Sequence, residues 1–204
     1  LEVEFVHGIK MSNSLAKEVG EKASKLNISL SVHAPYHINL NSKEKIKITA
    51  SKKRILTSCE RAHYLKAKYV VFHPGYYTSI DKEQTFENIK EQILDLQKQI
   101  KKHKYKVKLA PETTGKINVF GSLQEILDLQ KQTKTSFCID FSHLQAREQK
   151  NFNYDEIFSK IKHFKHIHAH FSGIEFSDKG ERKHIRTPTS KIKELAKEIL
   201  KNKT

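Results

Sequence analysis

The chain has 204 residues, enough for one domain of ordinary size with a real core. Hydrophobic residues make up 37% and charged residues 30%, which excludes a disordered chain, and no apolar run approaches the ~18 residues of a membrane span. A net charge of +15 points to a polyanionic partner, or else to lysines that decorate solvated helix faces. Two cysteines, Cys59 and Cys138, stand far apart and outside any CxxC pair. That excludes a disulfide framework and leads one to expect a reducing, intracellular (cytoplasmic) setting. Cys138, inside the apolar run SFCID, reads as a small core residue. No signal peptide opens the chain, and Leu1 in place of Met reads as a start that is processed, cropped or incomplete.

Short apolar runs alternate with long amphipathic ones. Leu1–Val6 reads as a strand and Ser12–Leu26 as a helix, with Ser12 or Ser14 as its N-cap. Ser29–His33 is the next strand, followed by a helix between Ser42 and Lys66. Tyr69–His73 is a strand, then Lys82–Lys102 a helix; Val107–Pro111 is a strand, then Ser122–Gln132 a helix. Ser136–Asp140 is a strand with a short helix near Tyr154–Ile161; His166–Phe171 is the sixth strand and Thr189–Lys201 a final helix. Strict β/α alternation implies parallel strands with helical crossovers. No linker or charge block marks a boundary, so one domain over 1–204 is expected, with about six βα units.

The chemistry gathers at the strand ends. The second strand ends in His33 and the third in His73; the fourth ends in Glu112 and the fifth in Asp140, with His143 just after. The sixth carries His166, His168 and His170 on one face. His166 sits deepest and reads as structural. Taken singly, His33 or His73 would be a satisfied polar residue, Glu112 a loop carboxylate and Asp140 an N-cap. Their recurrence, about one βα unit apart, is what makes a site. In a parallel α/β fold the carboxyl ends of the strands share one rim, where the active site lies. His with Asp and Glu is a donor set for zinc or a similar divalent metal, and so many donors favour more than one ion. The segment SGIEFSDKGERKHIRT alone reads as a solvated loop. It follows the sixth strand at the same rim, so His184 and an adjacent carboxylate are placed to complete a site with His143.

With these residues in hand, the sequence resembles the endonuclease IV family of apurinic/apyrimidinic endonucleases (deoxyribonuclease IV), within the xylose isomerase-like TIM barrels. HAPYHINL at His33–Leu40, VFHPG, ETTGK, CIDFSH and HIHAHFSGIEFSDKGERKH fall in the family's order and spacing over nearly the whole chain. The SGIE and GERKH forms are similar to archaeal-type members. The resemblance implies an incomplete α/β TIM barrel, about six of eight βα units, lacking the family's first and last strands and the glutamate ligand on the last. It also implies a metal-dependent phosphodiesterase of base excision repair, using up to three zinc ions to cleave double-stranded DNA 5′ to abasic sites. Carried over, His33 and His73 hold the first zinc, and Glu112 bridges the first and second as the catalytic carboxylate. Asp140 and His168 bind the second, with His170 the alternative one strand period on. His143 and His184 bind the third. Glu181 stands in there, because Arg182 occupies the family's aspartate position. Tyr36 and Asn39 match positions around the abasic nucleotide. Lys179, Arg182, Lys183 and Arg186 are expected to hold the DNA backbone without reading sequence.

Two other readings compete. One is a sugar isomerase or epimerase on the same barrel, against which the +15 charge and the His143/His184 pair count. The other is a truncated, inactive remnant that binds metal or DNA, favoured by the altered third position and the missing terminal glutamate.

Overall fold

β-Branched and apolar strands alternate with helices that hide one apolar stripe each. The computed structural model describes residues 1–202. In chain order the elements are β1 (Glu2–Glu4), α1 (Asn13–Lys25), β2 (Ser31–His33), α2 (Lys45–Tyr64), β3 (Tyr69–Phe72) and β4 (Gly75–Tyr76). Then come α3 (Lys82–Lys102), β5 (Lys108–Pro111), β6 (Val119–Phe120), α4 (Leu123–Thr133), β7 (Cys138–Asp140) and α5 (Phe141–Glu148). A 3-10 turn at Gln149–Asn151 leads to α6 (Tyr154–Ile161), β8 (His168–His170), β9 (Gly173–Ser177), β10 (Gly180–Ile185) and α7 (Thr189–Lys201). The helix starts follow the cap chemistry. Ser12 accepts from the Leu15 amide, Asp81 from that of Gln84, and Ser122 forms a capping box with Glu125.

β1, β2, β3 and β5 form a parallel sheet in that order. A parallel bridge between Glu112 and Cys138 carries the wall on to β7, which pairs in parallel with β8. Six parallel strands therefore follow one another in chain order, as in the wall of a TIM barrel. Val32, Val70, Phe72, Leu109 and Ile139 point outward and meet the buried helix residues Ala16, Ile55, Ile89, Ile93, Leu96, Ile126 and Leu129. The alternate residues point inward. Register places Glu2 beside Ser31, Glu4 beside His33, Val71 beside Ala110, Cys138 beside His168 and Asp140 beside His170. Val71, Ala110 and Cys138 pack as a small interior cluster against Tyr69. Among the described residues no helix is long and apolar enough to cross a membrane.

Three features depart from the coarse sequence reading. Residues 141–148, unassigned in sequence, form α5, because the Asp140 side chain accepts from the His143 amide and caps it at 2.8 Å. β4 and β6 make a short antiparallel pair at the rim. The segment that alone reads as a solvated loop is an antiparallel hairpin, β9–β10. It docks on the loop after β5 through a bridge between Lys116 and Gly180 and a Glu181 amide to Gly115 carbonyl bond of 3.0 Å. Gly180 adopts φ +91°, and a Cβ there would lie 2.2 Å from the Gly115 carbonyl oxygen, so only glycine allows this approach.

Candidate metal centre

Glu112, at the end of β5, is 1% exposed and is the hub of the site. Its Oε2 lies 3.2 Å from His33 Nε2 and 2.9 Å from His73 Nε2, and its Oε1 lies 2.6 Å from His170 Nδ1. Burial opposes ionisation of this carboxyl. The imidazoles of His170, His33 and His73 outweigh it and hold the group well below the usual carboxylate range. Burial also works against charge on His33, yet Glu112 raises its pKa above the ordinary value. The ring orientation of His33 follows from one contact: Nδ1 lies 2.7 Å from the Ala34 carbonyl, which can only accept. Nδ1 therefore carries the proton, and Nε2 turns toward Glu112. A lone pair and a carboxylate oxygen facing each other need a cation between them, a proton or a metal ion.

A second group adjoins the first. His143 sets Nδ1 2.9 Å from the Thr113 carbonyl, which again frees Nε2. That Nε2 lies 3.2 Å from His184 Nε2 and 3.6 Å from Glu181 Oε2. Ser172 Oγ, 2.6 Å from His184 Nδ1, fixes the far side of that ring. Burial opposes charge on His143, but Asp140, Glu112 and Glu181 raise its pKa. Three donor groups result: His33, His73 and Glu112; Glu112, Asp140 and His143; and His143, Glu181 and His184. Within each, the donor atoms lie within 4.8 Å of one another. Glu112 and His143 are shared, so the three positions form a chain along the rim. The donor set suits zinc, and the facing lone pairs and carboxylates fit a cation. These residues line a cleft of about 440 Å³.

The structure thus brings together His33, His73, Glu112, Asp140, His143, Glu181 and His184. His168 does not join them. The register of β7 and β8 sets His170, not His168, beside Asp140. His168 points one layer lower, with Nε2 3.0 Å from Glu2 Oε2 and its ring 5.4 Å from that of Tyr69. Tyr36 is half-exposed beside the site, its ring 5.5 Å from that of His33 and 5.9 Å from that of His73. Asn39 is committed to the backbone: its Oδ1 accepts from the amides of Asn41 and Tyr76 at 3.0 and 3.3 Å. Lys179, Arg182, Lys183 and Arg186 are exposed on the hairpin segment, with Lys183 paired to Glu175 at 3.4 Å. Sequence reasoning missed Glu2 and Glu4, which also line the cleft. Their alternation with Val3 and Phe5 is the same signal that singled out His168 and His170.

Barrel wall and rim together define a metal-binding α/β barrel. A family model described as xylose isomerase-like TIM barrel matches residues 1–199, and the chain belongs to that family. It is 37% identical over 195 residues to an uncharacterized protein of Methanocaldococcus jannaschii, covering 91% of this chain and 70% of that protein. It is 35% identical over 155 residues to a probable endonuclease 4 of Aster yellows witches'-broom phytoplasma, covering 71% of this chain and 52% of that one. The chain spans about half the length of that curated relative. Among solved structures, SacUVDE matches with a TM-score of 0.75 and 16% identity over 97% of this chain and 71% of that one. Endonuclease IV from Thermus thermophilus matches at 0.56 and 20%, over 76% and 56%. A D-tagatose 3-epimerase-like protein matches at 0.64 and 20%, over 87% and 68%. At such identities these structures speak for the fold.

Proposed function

We propose that this chain is a zinc-dependent endonuclease that cuts double-stranded DNA 5′ to abasic sites. The observation that carries the reading is the chain of three donor groups joined through Glu112 and His143. A sugar isomerase needs one or two metal positions; phosphodiester cleavage benefits from several cations around one phosphate. The kinship with probable endonuclease 4 proteins and the +15 charge support the same reading.

Zinc at these positions would supply an acidified water and positive charge on the phosphate oxygens. His33, His73, Asp140, His143, Glu181 and His184 hold the ions, and Glu112 bridges. Glu112 stays ionised, and its carboxylate orients the attacking water. The water oxygen bonds to phosphorus, the P–O3′ bond breaks, and O3′ leaves with a proton. Tyr36 stands over the cleft where an extrahelical sugar would enter, a position more easily reached where a base is already missing. Lys179, Arg182, Lys183 and Arg186 are placed to hold backbone phosphates. Such work belongs in a reducing intracellular compartment, where Cys59 and Cys138 stay free.

The test is nicking of a duplex oligonucleotide with one abasic-site analogue by the zinc-loaded chain, with and without chelator, beside His33→Ala. Chelator-sensitive cleavage 5′ to the lesion, lost in His33→Ala, is expected. No nick from folded, zinc-bound protein would overturn the reading in favour of a non-catalytic remnant. Turnover of a ketohexose instead would favour an epimerase.

A further inference from the structure

Below Glu112 the barrel interior holds a second set of donors that the rim chemistry does not use. Strand alternation sends Glu112, Asp140 and His170 toward the cleft and sends Glu2, Cys138 and His168 one layer lower. Cys138 and His168 are register partners on β7 and β8. Cys138 Sγ and one nitrogen each of His168 and His170 lie within 4.8 Å of one another. From β1, Glu2 places Oε2 3.0 Å from His168 Nε2 and Oε1 2.8 Å from His170 Nε2.

His170 supplies the decisive detail. Its Nδ1 lies 2.6 Å from Glu112 Oε1, and an ionised carboxylate only accepts, so Nδ1 carries a proton. Its Nε2 is buried and has no aligned hydrogen-bond partner, although Glu2 Oε1 is close. A buried nitrogen left in this state needs an explanation. With Nδ1 given to a carboxylate, Nε2 stands in the arrangement that metal-bound histidines adopt. Ser31 Oγ, 2.6 Å from Glu2 Oε2, steadies the opposing carboxylate in the same way.

We propose that Glu2, Cys138, His168 and His170 form a metal site of their own, beneath the rim centre, suited to zinc or another borderline divalent cation. One thiolate, two imidazoles and one carboxylate make four donors, and the two anions neutralise a dication. Donors around tetrahedral zinc stand about 3.4–3.8 Å apart, so these four close on an ion with shifts of about an ångström. Without metal, burial and the nearby Glu112 push the Cys138 thiol well above its ordinary pKa, so it is S–H. On binding, the thiol proton leaves to solvent and a metal–sulfur bond forms, with no change of oxidation state. The site goes beyond the nuclease reading and stands whether or not the rim cuts DNA.

Cobalt(II) tests it, because only a thiolate ligand gives a near-ultraviolet sulfur-to-cobalt charge-transfer band, and the rim donors hold no sulfur. The full chain, stripped of metal, is titrated with cobalt(II) as wild type, Cys59→Ser and Cys138→Ser. Cys59 is fully buried in α2 and belongs to none of the donor groups, so Cys59→Ser keeps the band. Cys138→Ser is expected to lose the band and to bind one ion fewer. The wild-type and Cys59→Ser spectra decide even where Cys138→Ser fails to fold. Cobalt bound by wild type without the band, or a band that survives Cys138→Ser, overturns the site.

Discussion

Replacing Glu112 with glutamine tests whether electrostatics or packing holds the centre of this barrel. The carboxylate is 1% exposed and meets three imidazole nitrogens at 2.6, 2.9 and 3.2 Å. Gln is nearly isosteric but offers one acceptor and no charge. Removing one partner of a buried ion pair costs about 3–5 kcal/mol. The histidines limit the loss by shedding protons, at about 1.4 kcal/mol per pKa unit. The pH window follows from the shifts. His33 and His170 are raised above 6.5, so their contribution is complete below 6.5 and is lost as pH rises through the folded values. Glu112 is lowered from 4.5, so its contribution is present above 4.5 and is lost as pH falls through the depressed value. Both act between 4.5 and 6.5. Metal-stripped Glu112→Gln is therefore expected to lose about 3–5 kcal/mol at about pH 5.5, and progressively less toward about pH 9. Urea unfolding followed by circular dichroism in chelator measures it. An equal loss at both pH values would refute the electrostatic account.

Two further substitutions probe the rim. Gly115→Ala places a Cβ 2.7 Å from Glu181 Cβ and 2.9 Å from its Oε2, so Glu181 must leave the His143–His184 group. One zinc ion fewer per chain at limiting free zinc is expected by elemental analysis, and unchanged stoichiometry would sink the assignment of Glu181. Arg147→Ala removes Nη1 bonds to the Lys116 and Val119 carbonyls at 2.7 and 2.9 Å and an Nη2 bond to the Tyr77 hydroxyl at 3.2 Å. A loss of about 2–3 kcal/mol, with faster amide exchange confined to residues 116–121, is the expected result. Uniform exchange across the barrel would contradict the local role.

The order of strands and helices was legible because each element buries its apolar residues with its own period. α3 begins and ends at the residues its pattern indicates, Lys82 and Lys102. The β9–β10 hairpin was not legible. Its exposed strands carry Arg182, Lys183 and His184 with no buried alternation, and their pairing is fixed by Gly180 against the Gly115 carbonyl, a contact distant in sequence. The rim donors were legible because parallel strands bring their carboxyl ends together whatever lies between. α5 was hidden for the opposite reason: Asp140 is both a donor and the helix cap, and the chemical role masked the structural one.

The ambiguity between His168 and His170 has the same physical origin as the inner donor set. A strand returns to one face every second residue, about 6.6 Å further along. Sequence alone therefore shows which residues face the barrel interior but not which layer each reaches. The layer is set by register with neighbouring strands. Asp140 opposite His170 fixes the upper layer, and Cys138 opposite His168 fixes the lower. Glu2 belongs to the lower layer through Ser31, its register partner on β2. Three alternating histidines on one strand are thus not redundant candidates for one ligand. They are a ladder, and His170, touching Glu112 with one nitrogen and Glu2 with the other, is the rung between its two levels.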